Sequence, residues 1–387
     1  MFGQIVLLAA ILVAVAAGVV AFYIVKAARG WKKAVPEDVE EIWQLTKTIE
    51  ENPQDAEAYY RRGLIYSERR AYEQAIRDYS RAVELRPDFV PAYTERGAAY
   101  GELGRLRKEI EDYSKAIEMD PEDPVPYTNR GVAYRNLAQY DQAIREHSKA
   151  IELDEEYVLA YVNRGVAYNE KGDYERALAD YSKAIELAPD YALAYVNRGK
   201  NYIDLGDYQQ AIADCDKAVE LDPDDPLPYT NRGVAYDMLG QHERAVEEHS
   251  QALELDPNFA LAHTNRGVAC ANLGRYEEAI EEHNRAIELE PEYARAYVNR
   301  GVVYIELGLH KSAVADCSKA VKLDAADATA HYNLACAYSL LKKAGPAVES
   351  LQRAIVLEPD FRHDAREDED FHNIRGDERF ARLVMGL

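Results

Sequence analysis

The chain has 387 residues, of which 46 are lysine or arginine and 69 are aspartate or glutamate, giving a formal net charge of −23. Nucleic-acid binding needs a basic surface to neutralise phosphates, so this balance argues against a nucleic-acid partner. The four cysteines include no CxxC pair, which argues against a disulfide framework and against a cysteine zinc site.

The first predicted element is an apolar segment, Ile5 to Val25, whose 21 residues carry no charge. A helix of this length covers roughly 30 Å, the thickness of the hydrocarbon core of a bilayer. Four basic residues follow the segment and none precedes it: Lys26, Arg29, Lys32 and Lys33. The positive-inside rule therefore predicts a single-pass membrane protein with the rest of the chain in the cytoplasm. Two alternatives stay open, namely cleavage as a signal peptide near Ala14 to Ala16 and a topology with the rest of the chain outside the cytoplasm.

The next residues, 26–55, are predicted to form a juxtamembrane linker and one short helix from Glu37 to Glu51. Pro53 follows this helix in the same register as the prolines that end later helices. The helix therefore has the pattern of half a repeat and is expected to cover the apolar edge of the segment that follows it.

The central part of the chain repeats with a period of 34 residues. One small residue marks the same place in each of nine copies from Ala56 to Phe361: Gly63, Gly97, Gly131, Gly165, Gly199, Gly233, Gly267, Gly301 and Ala335. Apolar residues recur at helical spacing twice in each copy, so each copy is predicted to be a hairpin of helix A and helix B. One hairpin cannot bury both of its faces, so neighbouring copies are expected to stack on one another.

This pattern resembles the tetratricopeptide repeat. Counting Ala56 as position 1, copy one carries the residues of that motif at positions 4, 8, 11, 20, 24, 27 and 32: Tyr59, Gly63, Tyr66, Ala75, Tyr79, Ala82 and Pro87. The resemblance implies an all-α fold, a right-handed superhelical solenoid of antiparallel helical hairpins, here preceded by one N-terminal transmembrane helix. It also implies that positions 2, 5, 6, 9, 12 and 13 of helix A line a concave groove.

Residues 362–387 follow the last copy. Phe371, Ile374, Phe380, Leu383 and Val384 lie among many charged residues there. Their spacing resembles that of the amphipathic helix that closes such arrays, so we expect a C-terminal capping helix and tail.

Position 7 predicts a structural ion pair. It is arginine in the first eight copies, and position 23 is acidic in the same eight copies. Copy nine loses both residues together, having Leu334 and Ser350. The joint loss indicates that the arginine and the acid pair between helices A and B.

Position 6 is the candidate binding feature, because it is asparagine in seven consecutive copies: Asn129, Asn163, Asn197, Asn231, Asn265, Asn299 and Asn333. An amide side chain offers a donor and an acceptor together, which matches a peptide unit. Apolar residues flank the series at position 5 and at position 9, the latter including Val166, Val234 and Val268. The series resembles the asparagine ladder in the repeat domain of O-linked N-acetylglucosamine transferase, which holds extended peptides by their main chain.

Other chemistry is poorly supported by the sequence. The trio of basic residues that a carboxylate clamp for chaperone C-termini needs is absent, and so are a phosphate loop, a nucleophile elbow and an HExxH motif. His147, His249 and His283 occupy position 24, a core position one hairpin apart, which is too far to share a metal ion. We therefore expect no enzyme activity, no cofactor and no metal.

The sequence thus predicts a membrane-anchored scaffold that binds extended peptide segments or helices of partner proteins in its groove. The mild acidity of the groove favours a neutral or basic partner, and no small-molecule substrate is expected. The alternative is an architectural or envelope assembly factor that oligomerises or assembles complexes through its convex face.

Overall fold

The computed structural model describes residues 37–386, which are helical and contain no strand. The predicted membrane helix, Ile5 to Val25, lies outside these residues. None of the helices that the structure describes is long and apolar enough to cross a membrane. The chain divides into two compact units, unit 1 ending at Leu187 and unit 2 beginning at Ala188.

Within residues 37–187, unit 1 contains one single helix followed by four helical hairpins. Its helices are α1 Glu37–Glu51, α2 Ala56–Glu68, α3 Tyr72–Leu85, α4 Val90–Glu102, α5 Leu106–Met119, α6 Pro124–Asn136, α7 Tyr140–Leu153, α8 Val158–Glu170 and α9 Tyr174–Leu187. The even-numbered helices are helices A and the odd-numbered ones from α3 onward are helices B.

Unit 2 contains five hairpins in the described residues and ends in three short helical segments. Its helices are α10 Ala192–Leu205, α11 Tyr208–Leu221, α12 Pro226–Met238, α13 His242–Leu255, α14 Ala260–Asn272, α15 Tyr276–Leu289, α16 Ala294–Glu306, α17 His310–Leu323, α18 Ala328–Leu340, α19 Ala344–Leu357, α20 Phe361–Glu367, a 3₁₀ helix Glu369–Ile374 and α21 Glu378–Met385. The same alternation of helices A and B holds from α10 to α19.

The turn inside each hairpin is fixed by one residue with positive φ at position 15. Gly172 has φ of +83° after α8, a conformation that glycine adopts without steric cost and that ends a helix. Arg70, Ala138 and Lys342 adopt the same region in three other copies. The glycine at this position is therefore favoured by geometry, and three copies form the turn without it.

Helix α1 packs on the first hairpin. Leu45 and Ile49 are buried against Ala58 and Ile65 of α2. The outer face of α1 carries the charged residues of the segment, so α1 shields the apolar edge of α2 from water.

The C-terminal tail forms three short segments instead of the single helix that the spacing of its apolar residues predicts. Asp368 and Asp377 each accept a hydrogen bond from a backbone N–H two residues later, and each thereby starts a new helical segment. Phe371 and Phe380 are buried with their ring centroids 5.4 Å apart. The breaks allow both rings to enter one core with Leu351 of α19.

Candidate peptide-binding face

Helix A has two faces with different roles, and the packed face is defined here by positions 7 and 8. The predicted pairing of position 7 with position 23 is confirmed, with N···O distances between 2.5 and 2.7 Å in all eight copies: Arg62–Asp78, Arg96–Asp112, Arg130–Glu146, Arg164–Asp180, Arg198–Asp214, Arg232–Glu248, Arg266–Glu282 and Arg300–Asp316. Each pair joins helix A to helix B of the same hairpin.

In copies of both units the arginine also donates to a polar side chain of the preceding helix, which the sequence did not lead us to expect. Arg96 donates to Ser80 Oγ at 3.1 Å and Arg164 donates to Ser148 Oγ at 3.0 Å. In copy one the same role falls to Thr46 of α1, at 2.9 Å from Arg62. In these copies the arginine therefore joins three helices. The small polar residue at position 25 was the sequence signal that could have predicted this contact.

The acid at position 23 sets the geometry of this contact. Asp180 accepts from Arg164 with both oxygens, from Nε at 2.8 Å and from a terminal nitrogen at 2.7 Å. Glu146 instead accepts both hydrogen bonds from Arg130 with one oxygen, at 3.0 and 2.7 Å. The forked arrangement is the stronger one for arginine and a carboxylate.

The copies with glutamate at position 23 have histidine at position 24. His147, His249 and His283 are fully buried, and neither ring nitrogen has a hydrogen-bond partner among the residues that the structure describes. Burial, together with nearby arginines, lowers the pKa of His147 and of His249 to about 3 and that of His283 to about 4. These histidines are therefore neutral residues at the core position that the sequence predicts.

The open face of helix A, defined by positions 2, 6, 9 and 13, carries the predicted asparagines. Successive helices A touch within each unit, so Asn129 and Asn163 are neighbours in unit 1. In unit 2 the same contacts align the other five: Asn197, Asn231, Asn265, Asn299 and Asn333. Asn265 is buried and the other six side chains are half-buried.

Local hydrogen bonds already orient several of these amides. Asn163 Nδ2 donates to the Leu159 carbonyl at 2.9 Å, and Asn197 Nδ2 donates to the Leu193 carbonyl at 3.0 Å. Asn231 Nδ2 lies 3.5 Å from the Val196 carbonyl of the preceding helix A. Because an amide group has two N–H donors and an acceptor oxygen, each of these side chains keeps one donor and its oxygen for a ligand.

The apolar residues at position 5 do not line this face, contrary to the expectation from the sequence. They are buried in six consecutive copies: Thr128, Val162, Val196, Thr230, Thr264 and Val298. Val298, for example, packs against Ala320 of α17 and Ala330 of α18, so it belongs to the core between hairpins. The valines at position 9, Val166, Val234 and Val268, are half-buried and stay on the open face.

Exposed apolar side chains recur at position 2 within each unit, a feature that the sequence analysis missed. Leu159 in unit 1 is 43% exposed and Leu193 in unit 2 is 41% exposed. Val125 and Leu227 are exposed at the same position in their copies. The signal was available, because position 2 holds an aliphatic residue in five consecutive copies.

One cluster at the tail brings metal-ligand types together. The thiol of Cys336 and carboxylate oxygens of Asp368 and Asp370 lie within 4.8 Å of one another. Asp368, however, accepts hydrogen bonds from the Tyr332 hydroxyl at 2.7 Å and from the Asp370 backbone N–H at 2.9 Å. Burial raises the pKa of the Cys336 thiol, so it stays protonated. These contacts anchor the tail to α18.

Comparison with family models identifies the repeat. Models described as tetratricopeptide repeat match residues 56–89, 90–123, 113–145, 158–191, 294–327 and 328–361. A model described as TPR repeat matches residues 199–240, 238–274 and 267–308. Comparison with curated proteins found no match.

Solved structures with the same fold include larger assemblies. A chain in the crystal structure of the APC/C hetero-tetramer Cut9–Hcn1 matches 78% of the present chain, with a TM-score of 0.57 and 18% identity. The present chain spans only 62% of the length of that neighbour. A tetratricopeptide repeat protein from Parabacteroides merdae matches 63% of the present chain and 97% of its own, with a TM-score of 0.55 and 21% identity. At these identities the likeness shows the fold alone.

Proposed function

Because the chain belongs to the tetratricopeptide repeat family, and is thus a scaffold for protein–protein interactions, we propose that it binds extended peptide segments of partner proteins along the open faces of its helices A. In this proposal all nine hairpins are repeats of the family, and the open faces form the groove that the family resemblance implies. The matching family models indicate no catalytic family, and the proposed role needs none.

The observation that carries the proposal is the state of the amides at position 6. Asn163 and Asn197 are half-buried, are held in place by one hydrogen bond each, and keep an acceptor and a donor unused by that bond. Such preorganised amides suit the main chain of an extended peptide, whose own donors and acceptors alternate. The exposed leucines at position 2 add an apolar surface beside them.

The proposal includes attachment to a membrane through Ile5 to Val25. Its support is the sequence alone: 21 uncharged residues followed by four basic ones. In this arrangement the acidic repeats would be repelled by anionic lipid and would project away from the membrane, facing the cytoplasm.

Main-chain recognition can be tested with synthetic peptides and the full chain in detergent. The probes are acetylated and amidated ten-residue peptides with uncharged side chains, followed by fluorescence anisotropy. We expect binding that Asn129→Ala/Asn163→Ala weakens about thirtyfold, since each of the two lost amides removes hydrogen bonds worth about 1 kcal/mol. Methylating alternate peptide nitrogens of the probe should weaken binding as well, because it removes main-chain donors.

The matched control is Lys149→Ala/Lys183→Ala, which changes two exposed lysines on the outer faces of helices B in the same unit. This variant should bind as the natural sequence does, and circular dichroism should show all three proteins equally folded. Equal binding by the asparagine variant and the natural sequence would overturn the proposal. It would leave the architectural role through helices B as the better account.

A further inference from the structure

Copy two departs from the asparagine series on the open face of unit 1. Position 6 of α4 is Glu95, whereas the next two helices A carry Asn129 and Asn163 at that position. The Glu95 side chain is half-buried, as the asparagines are. A carboxylate therefore takes the place of an amide at the start of the row.

Glu95 has no counter-ion in the part of the chain that the structure describes. No nitrogen of lysine, arginine or histidine within residues 37–386 lies within 4.0 Å of its carboxylate. Its neighbours on the same face are paired: Arg61 with Glu41 at 2.9 Å, and Glu57 with Arg86 at 2.8 Å. Within residues 37–386, the half-buried Glu95 thus lacks the counter-ion that Arg61 and Glu57 each have.

The surroundings of Glu95 make this charge costly. Burial raises the pKa of its carboxyl group, and no neighbouring cation opposes that shift. Burial raises the pKa values of Tyr60 and Tyr113, and the nearby charge of Glu95 raises them further. A half-buried carboxylate without a counter-ion is a favourable environment for a cation, which gains a charge-assisted hydrogen bond there.

We infer that Glu95 is a specificity subsite for a lysine or arginine side chain of the bound segment, whose main chain continues along Asn129 and Asn163. The inference rests on the proposed function of the open face and adds the charge and place of one ligand residue. Binding of a cation would give the half-buried Glu95 carboxylate the counter-ion that it lacks among residues 37–386. The acidity of the whole chain would draw such a partner in.

The test uses the full chain in detergent and three sets of acetylated, amidated ten-residue peptides. Within each set the peptides have uncharged side chains except at one test position, which moves along the peptide. The test position carries lysine in the first set, glutamine in the second and glutamate in the third. We expect the best lysine peptide to bind about tenfold more tightly than its glutamine counterpart, the gain expected of one partly desolvated charge pair. Glu95→Gln should reduce this ratio to about one, and Glu95→Lys should transfer the preference to the glutamate peptides.

The matched control is Glu118→Gln, which removes an exposed carboxylate of α5, the helix B of the same hairpin. It should leave the preference for lysine unchanged. A preference for lysine that survives Glu95→Gln would overturn the inference.

The two proposals fail in different ways in this experiment. Binding that shows no preference for lysine, yet is weakened by Asn129→Ala/Asn163→Ala, overturns the subsite and leaves the peptide-binding face standing. Binding that those alanine substitutions do not weaken overturns the proposed function. A residual lysine preference that depends on Glu95 would then mark an isolated cation site.

Discussion

Asn163 and Arg164 are adjacent in the sequence, yet they lie on faces of α8 that differ in their packing and hydrogen bonding. The arginine is bonded to two other helices through a forked carboxylate contact and a serine hydroxyl. The asparagine makes one hydrogen bond to its own helix and is otherwise open to the surroundings. The same division recurs along both units, because positions 6 and 7 recur with the repeat.

This difference shows how one repeated sequence can fix a fold and still offer a binding surface. Polar groups of the packed face satisfy each other inside the protein, so a ligand would have to break existing bonds to use them. The Asn163 and Asn197 amides of the open face, in contrast, each keep a donor and an acceptor that their local hydrogen bond does not use. Substitutions on the two faces should therefore separate stability from binding.

The largest effect is expected from removal of a packed-face arginine. Arg164→Ala leaves the Asp180 carboxylate buried without its cation, which should lower the free energy of unfolding by about 3 kcal/mol. Urea denaturation, fitted as a chain of coupled repeats, measures this loss. Arg176→Ala, which removes an exposed arginine of α9, is the control and should cost less than about 0.5 kcal/mol. A similar loss in both variants would show that the buried pair has no special role.

Acid should weaken the packed face through its buried histidines. The pKa of His147 is about 3 in the folded chain, whereas an unburied histidine has a pKa of 6.5. Between these values the unfolded state therefore binds a proton that the folded state does not bind. Stability is then complete above pH 6.5 and is lost as pH falls, by about 2 kcal/mol for this residue at pH 5. His147→Leu should flatten the decrease in unfolding free energy between pH 7 and pH 5. An unchanged decrease would mean that the imidazole is hydrated or paired.

The loss of stability when a glycine at position 8 is changed to alanine should depend on the side chain at position 24 that the new methyl group meets. A Cβ on Gly165 would lie 2.6 Å from the Tyr181 ring, whereas one on Gly199 would lie 3.3 Å from the Cys215 sulfur. Gly165→Ala should therefore destabilise the chain by at least about 1 kcal/mol through overpacking. Gly199→Ala should be close to neutral, because the gain in helix propensity offsets the tighter contact. Thermal unfolding of the two variants compares them, and equal shifts would contradict this account.

The smallest effect on the packed face is expected from the choice of acid at position 23. Asp180→Glu should change the forked contact of Arg164 into the single-oxygen contact seen at Glu146, at a cost below about 1 kcal/mol. The measurement is the arginine–acid coupling energy from a double-mutant cycle with Arg164→Ala. A coupling that does not fall in the Glu variant would show that the fork adds nothing.

The packed face could be predicted from the sequence because the copies can be compared with one another. Arg and acid occur together in eight copies and disappear together at Leu334 and Ser350, which indicates a contact without any structure. The burial of the position 5 residues could not be read in this way. This burial depends on the distance between successive helices A, which cannot be predicted from the sequence of one copy.

The tail and the open face were only partly predictable. The apolar residues of the tail resembled one amphipathic capping helix, but Asp368 and Asp377 each cap the start of a new helical segment, and tertiary packing decides which arrangement forms. The asparagines were visible in the sequence, whereas their bonds to backbone carbonyls were not. Those bonds depend on side-chain rotamers.

The most direct test of the division between the two faces compares Asn163→Ala with Arg164→Ala in both stability and peptide binding. The account predicts that Asn163→Ala leaves the free energy of unfolding within about 0.5 kcal/mol of the natural value, or raises it, since alanine is the better helix former. The same variant should weaken binding of the uncharged ten-residue peptides, whereas Arg164→Ala should lose stability and bind normally where it is folded. Destabilisation by Asn163→Ala with unaltered binding would contradict the account, because the asparagine would then belong to the fold and not to a binding face.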